Sequence, residues 1–221
     1  MPIKSELPDN KSNRPKPAQY QHPNCPILKK KLILASTSRY RAELLQRLKI
    51  PFTTCKPDAD ESPLPRETPP RTALRLSLAK ATSVAANHPG ALIIGSDQVA
   101  ELDGYPIGKP GTRDAARRQL QSMRTKCLVF NSGIALVNAH TGCVQSTIVA
   151  TTVRFRNCSD AEIEHYLDHE DAFDCAGSAK SEGLGIALIE SMQSDDPTAL
   201  VGLPLIALCS MLREEGFDVL A

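Results

Sequence analysis

From residue 31 onward the apolar residues follow two rhythms. Short unbroken runs, Leu32-Ile33-Leu34-Ala35 and Ala91-Leu92-Ile93-Ile94-Gly95, lack the alternation of a half-wet strand and predict strands covered on both faces. Between them the spacing turns helical. Leu44, Leu45 and Leu48 predict a helix over 39–48, and Leu74, Leu78 and Ala81 mark one face of a longer helix. The longer helix is capped by Thr68, has Pro69 and Pro70 in its first turn, and ends near Asn87. Residues 52–55 predict a short strand, and the proline- and acid-rich stretch 56–70 a loop.

The second half continues the alternation. Residues 98–107 read as a hairpin about Asp103-Gly104, and 112–123 as an amphipathic helix begun by Thr112. Two long strands, 127–137 and 144–155, flank a turn at 140–142. Ser159 with Glu162 three residues on is a capping-box signature for a helix to about 170. Residues 185–190 predict a last strand and 204–215 a last helix. Strands alternating with helices indicate an α/β or α+β enzyme fold. Residues 1–30, rich in Pro, Lys, Asn and Ser, are expected to be a disordered leader, with an arm ordering on a partner subunit as the other option. The folded domain is then 31–221.

Composition narrows the field. With 221 residues, 41% hydrophobic, the chain can bury a substantial core, and without Trp that core must be aliphatic. A net charge of +1 gives no general attraction to nucleic acid or membranes, so any basic site is local. The seven cysteines include no CxxC pair and are read as reduced, with a catalytic thiol unsupported by any neighbouring feature. No apolar stretch is long enough to span a bilayer and no signal-peptide core leads the chain, so a cytoplasmic protein is expected.

Several corners carry chemistry. Where 31–35 feeds the first helix, Ser36-Thr37-Ser38 sits at a helix N-terminus with Arg41 one turn in. Unpaired N–H groups and hydroxyls there suit a phosphate, although an ordinary cap with surface arginines has the same pattern. A second buried strand runs into Ser96-Asp97-Gln98, where a carboxylate can hold a hydrated divalent metal, activate water, or simply cap a turn. Gly108-Lys109-Pro110 is not a Walker A loop but presents a lysine on a turn. Asp60-Glu61 lies on the acidic loop, Lys80 on the long helix. His165 and His169 are spaced to bind zinc, yet lack an HExxH pattern or an evident third ligand, and a surface helix explains them equally well. The Gly/Ser-rich stretch 175–188 is either a plain loop or a substrate-recognition loop holding Glu182.

Together Ser36-x-Ser38-x-x-Arg41, Asp60-Glu61, Lys80-Ala81, Ser96-Asp97-Gln98 and Gly108-Lys109-Pro110 resemble the Maf family of nucleotide pyrophosphatases, from residue 31 to the C-terminus. Ser-Asp-Gln rather than Ala-Asp-Thr, with the stretches 180–186 and 200–209, resembles its 7-methyl-GTP branch, as against the branch acting on dTTP and UTP. The resemblance implies the Maf/HAM1-like (ITPase-like) fold, an elongated mixed β-sheet flanked by helices. It implies hydrolysis of a nucleoside triphosphate to the monophosphate and pyrophosphate with Mg²⁺ or Mn²⁺, and commonly a homodimer. It implies Arg41, Lys80 and Lys109 as phosphate cations, Glu61 and Asp97 as metal ligands with Asp97 also the base, and Ser36 and Ser38 as phosphate donors. It makes Tyr40, Gln98 and Glu182 the candidates for base or sugar contact. One departure stands out: where the family often has Pro and then Arg or Trp, this chain has Arg39 and Tyr40. An aromatic face attracts a cationic 7-methylguanine, and a glutamate can accept from the guanine N1–H and 2-amino groups. The rival readings are a pyrimidine-triphosphate enzyme of the same family, a non-catalytic regulator of cell division, and a zinc protein built on the two histidines.

Overall fold

The first three strands and two helices set the frame. β1 (Leu32–Ala35) leads through α1 (Arg39–Gln46) to β2 (Thr53–Cys55), which returns through α2 (Pro69–Ala85) to β3 (Leu92–Leu102). β2 and β3 lie on opposite sides of β1, both parallel to it. Right-handed crossovers travelling in opposite directions must put their helices on opposite faces of the sheet. Accordingly Leu44 and Leu45 of α1 pack with Leu32 and Leu34, whereas Ala81 and Val84 of α2 pack with Ile33 and Ala35. This structure, a computed structural model, describes residues 31–62 and 64–220; the expected leader lies outside the described residues.

β4 (Tyr105–Ile107) folds back on β3 through Asp103 and Gly104, both left-handed (φ 52° and 86°) as a two-residue hairpin turn requires. Then come α3 (Arg113–Met123), β5 (Cys127–Asn138), β6 (Val144–Phe155), α4 (Asp160–His169), β7 (Ile189–Ser194) and α5 (Leu205–Glu214). The sheet order is β2-β1-β3-β5-β6-β7, with β4 added to β3, a seven-stranded mixed sheet flanked by helices. α5 joins α1 over one half of the sheet, and α3 and α4 cover the other around Leu120, Leu128, Phe130 and Tyr166.

Four features differ from the sequence reading. β3 runs unbroken from Leu92 to Leu102, so Ser96-Asp97-Gln98 lies within a strand and not at its end. Residues 184–188 form a 3₁₀ turn, and the last strand is the exposed edge 189–194, which no apolar run could announce. Thr68 stands at the N-cap of α2 but its side chain caps nothing. The buried face of α2 carries Ala73, Leu76, Ser77, Lys80, Ala81 and Val84, rotated from the Leu74–Leu78 stripe. The cause is close packing on glycine. A Cβ on Gly95 would lie 2.1 Å from the Ser77 carbonyl oxygen, and one on Gly133 2.5 Å from that of Ala73. Only small helix residues fit against a sheet that near.

The edge of β3 facing β1 and β4 has a gap. β1 pairs as far as Ala35 with Gly95, β4 begins at Ala100 with Ile107, and no strand among the described residues covers 96–99 between them. The Ser36 N–H turns back to the Leu34 carbonyl and ends β1. The orphaned Asp97 N–H donates instead to Ser77 Oγ at 3.0 Å.

Gly95→Ala should therefore destabilise the protein by about 3 kcal/mol, the upper range for overpacking. Denaturant melts would check it, and a loss below about 0.5 kcal/mol would show that α2 is free to move away.

Candidate active site

At this gap a cleft of about 630 Å³ opens. Its floor is the free edge of β3 with Asp97 and Gln98, and its walls include Ser36, Ser38, Tyr40 and Arg41 from the β1–α1 corner. Glu61, Lys80, Lys109 and Glu182 reach it from four other segments. The residues that the Maf resemblance marks for substrate, metal and catalysis thus line one cavity, whereas Asp60 and the two histidines do not.

The β1–α1 corner is built for an anion. Ser38 is the N-cap of α1 and its Oγ accepts from the Arg41 N–H at 3.4 Å, while Ser36 Oγ accepts from the Ser38 N–H at 3.1 Å. Arg41 Nε donates to the Gly202 carbonyl at 2.9 Å. Desolvation holds the Arg41 pKa below its ordinary value, against the pull of Asp97 and Glu61, but a guanidinium remains charged at any working pH. Arg41 is half-buried at the wall of the cleft and carries a fixed positive charge there, which favours an anionic guest.

The centre of the cleft is an ion triad. Lys80 Nζ lies 2.6 Å from Asp97 Oδ1 and 2.9 Å from Glu61 Oε1. The lysine and aspartate side chains are nearly buried, at 8% and 12% exposure, and Glu61 is open at 60%. α2 positions both partners. The glycine contacts bring Lys80 to β3, and Arg75, held by Glu67 at 2.7 Å, donates to the carbonyls of Asp60 and Ser62 on either side of Glu61. Among the described residues, the second oxygen of each carboxylate takes no hydrogen bond from the protein. No cluster of three or more acidic, His or Cys ligands is present among the described residues; Glu61 and Asp97 are the pair whose hard anionic oxygens could hold a divalent cation.

Ser96 and Gln98 point to the other face of β3 and hold a turn. Ser96 Oγ lies 2.8 Å from the carbonyl oxygens of both Gly133 and Gly202. The Gln98 amide nitrogen lies 2.9 Å from Ser132 Oγ, 3.0 Å from the Ala199 carbonyl and 2.9 Å from that of Leu200. The donors of Gln98 are thus spent inside the protein, and only its amide oxygen remains for a ligand. The turn ends at Gly202, whose φ of 111° requires glycine and whose carbonyl meets Arg41.

The far end of the cleft is different. The Arg39 guanidinium sits 4.8 Å from the Tyr40 ring centroid and donates to Tyr40 Oη at 2.8 Å. Glu182 is exposed at the rim, with Asp174 and the buried Lys180 nearby. Burial works against the Lys180 charge, but Tyr40 and Asp174 outweigh it and raise its pKa. Asp174, Lys180, Phe130 and the Leu200–Gly202 turn are not among the site candidates read from sequence. Lys180 and the turn have a legible signal, since they fall in the stretches 180–186 and 200–209 that resemble the 7-methyl-GTP branch; Asp174 and Phe130 have none. Cys175 also lines the cleft, and burial pushes its thiol pKa up to about 11, the reverse of an activated nucleophile. His165 and His169 lie outside this cleft, their rings 4.2 Å apart and tilted at 37°, with His169 Nδ1 2.8 Å from the His165 carbonyl oxygen.

Among the described residues no helix is long and apolar enough to cross a membrane. A 7-methyl-GTP pyrophosphatase of Polaromonas sp. is 57% identical over 190 residues, 86% of this chain and 87% of that protein. Its counterpart in Aromatoleum aromaticum is 60% identical over 186 residues, 84% of this chain and 96% of that one. The solved Staphylococcus aureus Ham1 protein covers 58% of this chain and 73% of its own at TM-score 0.44 and 13% identity, too distant to bear on the argument. The family model for the Maf-like protein matches residues 31–215, nearly the whole of the fold described above, and the chain belongs to that family.

Proposed function

We propose that this protein is a nucleoside triphosphate pyrophosphatase that hydrolyses 7-methyl-GTP to 7-methyl-GMP and pyrophosphate. The observation that carries the reading is the Lys80 ammonium between the Asp97 and Glu61 carboxylates, in a cleft also lined by Arg41 and Lys109 and by Tyr40 and Glu182. The two relatives named as 7-methyl-GTP pyrophosphatases support the choice of nucleotide.

The triphosphate lies along the cationic end. Ser36 and Ser38 offer hydroxyls, Arg41 a half-buried charge, Lys80 a buried one, and Lys109 an exposed point charge on its turn. Glu61 and Asp97 would hold Mg²⁺ or Mn²⁺, which when bound supplies neutralisation of phosphate charge and acidifies coordinated water. Asp97 takes a proton from the attacking water, whose oxygen bonds to the α-phosphorus. The bond from that phosphorus to the bridging oxygen breaks, and its electron pair leaves with pyrophosphate. At the other end Glu182 accepts from guanine N1–H and the 2-amino group. A methylated base stacks on Tyr40 on the face opposite Arg39, away from that like charge. The ring already holds one cation within the chain, the property a cationic base would use. A cytoplasmic location and a homodimer complete the proposal, the latter testable by light scattering.

A nucleotide panel with and without Mg²⁺ and Mn²⁺ tests the whole reading. 7-Methyl-GTP should be the best substrate, and chelation should abolish pyrophosphate release until metal is returned; a preference for dTTP or UTP would move the enzyme to the other branch. Asp97→Asn should lower kcat about a thousandfold. It should leave the melting temperature near wild type, because Lys80 keeps Glu61 and an amide oxygen as partners; near-normal turnover would remove Asp97 from the mechanism. Tyr40→Ala should raise KM for 7-methyl-GTP about tenfold, by the usual worth of base stacking, and for GTP clearly less. An equal rise for both would dismiss the ring as a reader of the methylated base.

A further inference from the structure

We infer that Glu170, which does not line the cleft, is a positioning residue for base recognition: it holds the backbone that presents Glu182. The inference rests on the reading of Glu182 given above. Glu182 belongs to no helix or strand, and among the described residues its side chain has one hydrogen bond, from its neighbour Ser181 Oγ at 3.3 Å. Its place is therefore set by the chain on either side. After it, the Leu184 N–H donates to Glu170 Oε2 at 3.1 Å. Before it, the Lys180 N–H donates to Tyr166 Oη at 3.2 Å, and the Lys180 ammonium meets the Asp171 carbonyl, Asp174 at 3.6 Å and Glu170 at 3.8 Å. Both anchors come from one place. Tyr166 lies in the last turns of α4 and Glu170 is its C-cap, four residues on and so on the same side of the helix.

The glycines of the segment follow from this. A Cβ on Gly183 would lie 2.4 Å from Glu170 Oε2, and one on Gly185 2.5 Å from the Lys180 carbonyl oxygen. Gly183 lets the carboxylate reach the backbone, and Gly185 lets the loop close on its own lysine. Lys-Ser-Glu-Gly-Leu-Gly is thus a short loop wrapped on the end of α4, with Glu182 as its outward tip. A carboxylate accepting a backbone N–H makes a stronger tie than a neutral acceptor, and here it holds the first residue of the 3₁₀ turn that follows Glu182.

Steady-state kinetics with 7-methyl-GTP and GTP test the inference through the ratio of the two kcat/KM values. Glu182→Gln serves as the reference: it should lower the ratio, and an unchanged ratio there would overturn the recognition reading itself. Glu170→Ala should keep kcat for 7-methyl-GTP within about twofold and lower the ratio about tenfold, the size of a lost charge-assisted tie. Glu170→Gln keeps an acceptor oxygen and should restore most of it. Gly183→Ala should cause the same loss by pushing the carboxylate away, and should add nothing in a Glu170→Ala background. A residue needed only for stability would lower the melting temperature and leave the ratio alone. If Glu182→Gln lowers the ratio but Glu170→Ala does not, or if the effects of Gly183→Ala and Glu170→Ala simply add, the inference alone is overturned.

Discussion

The contact of α2 with two glycines of the sheet is the constraint from which the site follows. A helix normally stands off a sheet by the length of its side chains; here Gly95 and Gly133 leave room for its backbone to settle against the strands. That approach lets Ser77 reach the free Asp97 N–H and sets Lys80 against Asp97. Arg75, one turn and a half earlier, fixes the loop that carries Glu61. A helix held even a side chain's width further out would leave a lysine and an aspartate buried without each other, which costs far more than it stabilises.

Much of this was legible in the sequence because buried strands and capped helices announce themselves locally. The β1–α1 corner, the Ser159–Glu162 capping box and the Asp103-Gly104 turn each depend on a few adjacent residues, and each has its expected conformation. The candidate side chains were legible as types, and the cleft gathers them. What escaped was set by distant partners. The buried face of α2 could not be read from its leucines, because the decisive neighbours are glycines on other strands. β7 escaped because an exposed edge has no apolar rhythm. The unbroken course of β3 escaped because Ser-Asp-Gln looks like a corner until strand pairing over β5 is known.

The three residues of that motif divide the labour by strand alternation. Asp97 faces α2 and the ion triad, and Ser96 and Gln98 face the 199–202 turn. Gly202 then closes the circle, since its carbonyl receives both Ser96 and Arg41. The phosphate-end arginine, the motif strand and the segment leading into α5 are consequently one hydrogen-bonded unit, although they are far apart in the chain.

The gap in the edge of β3 has a consequence for how such a protein can vary. Its length is counted in strand residues, from the last one covered by β1 to the first covered by β4, about 17 Å at the usual rise. Surface loops elsewhere can lengthen without disturbing it. A single-residue insertion or deletion between Gly95 and Asp97, however, would reverse the facing of every side chain beyond it, turning the carboxylate toward the turn and the amide toward the lysine. The opening thus behaves as a ruler with two-residue graduations: drift in the length of this strand is tolerated in even steps or not at all.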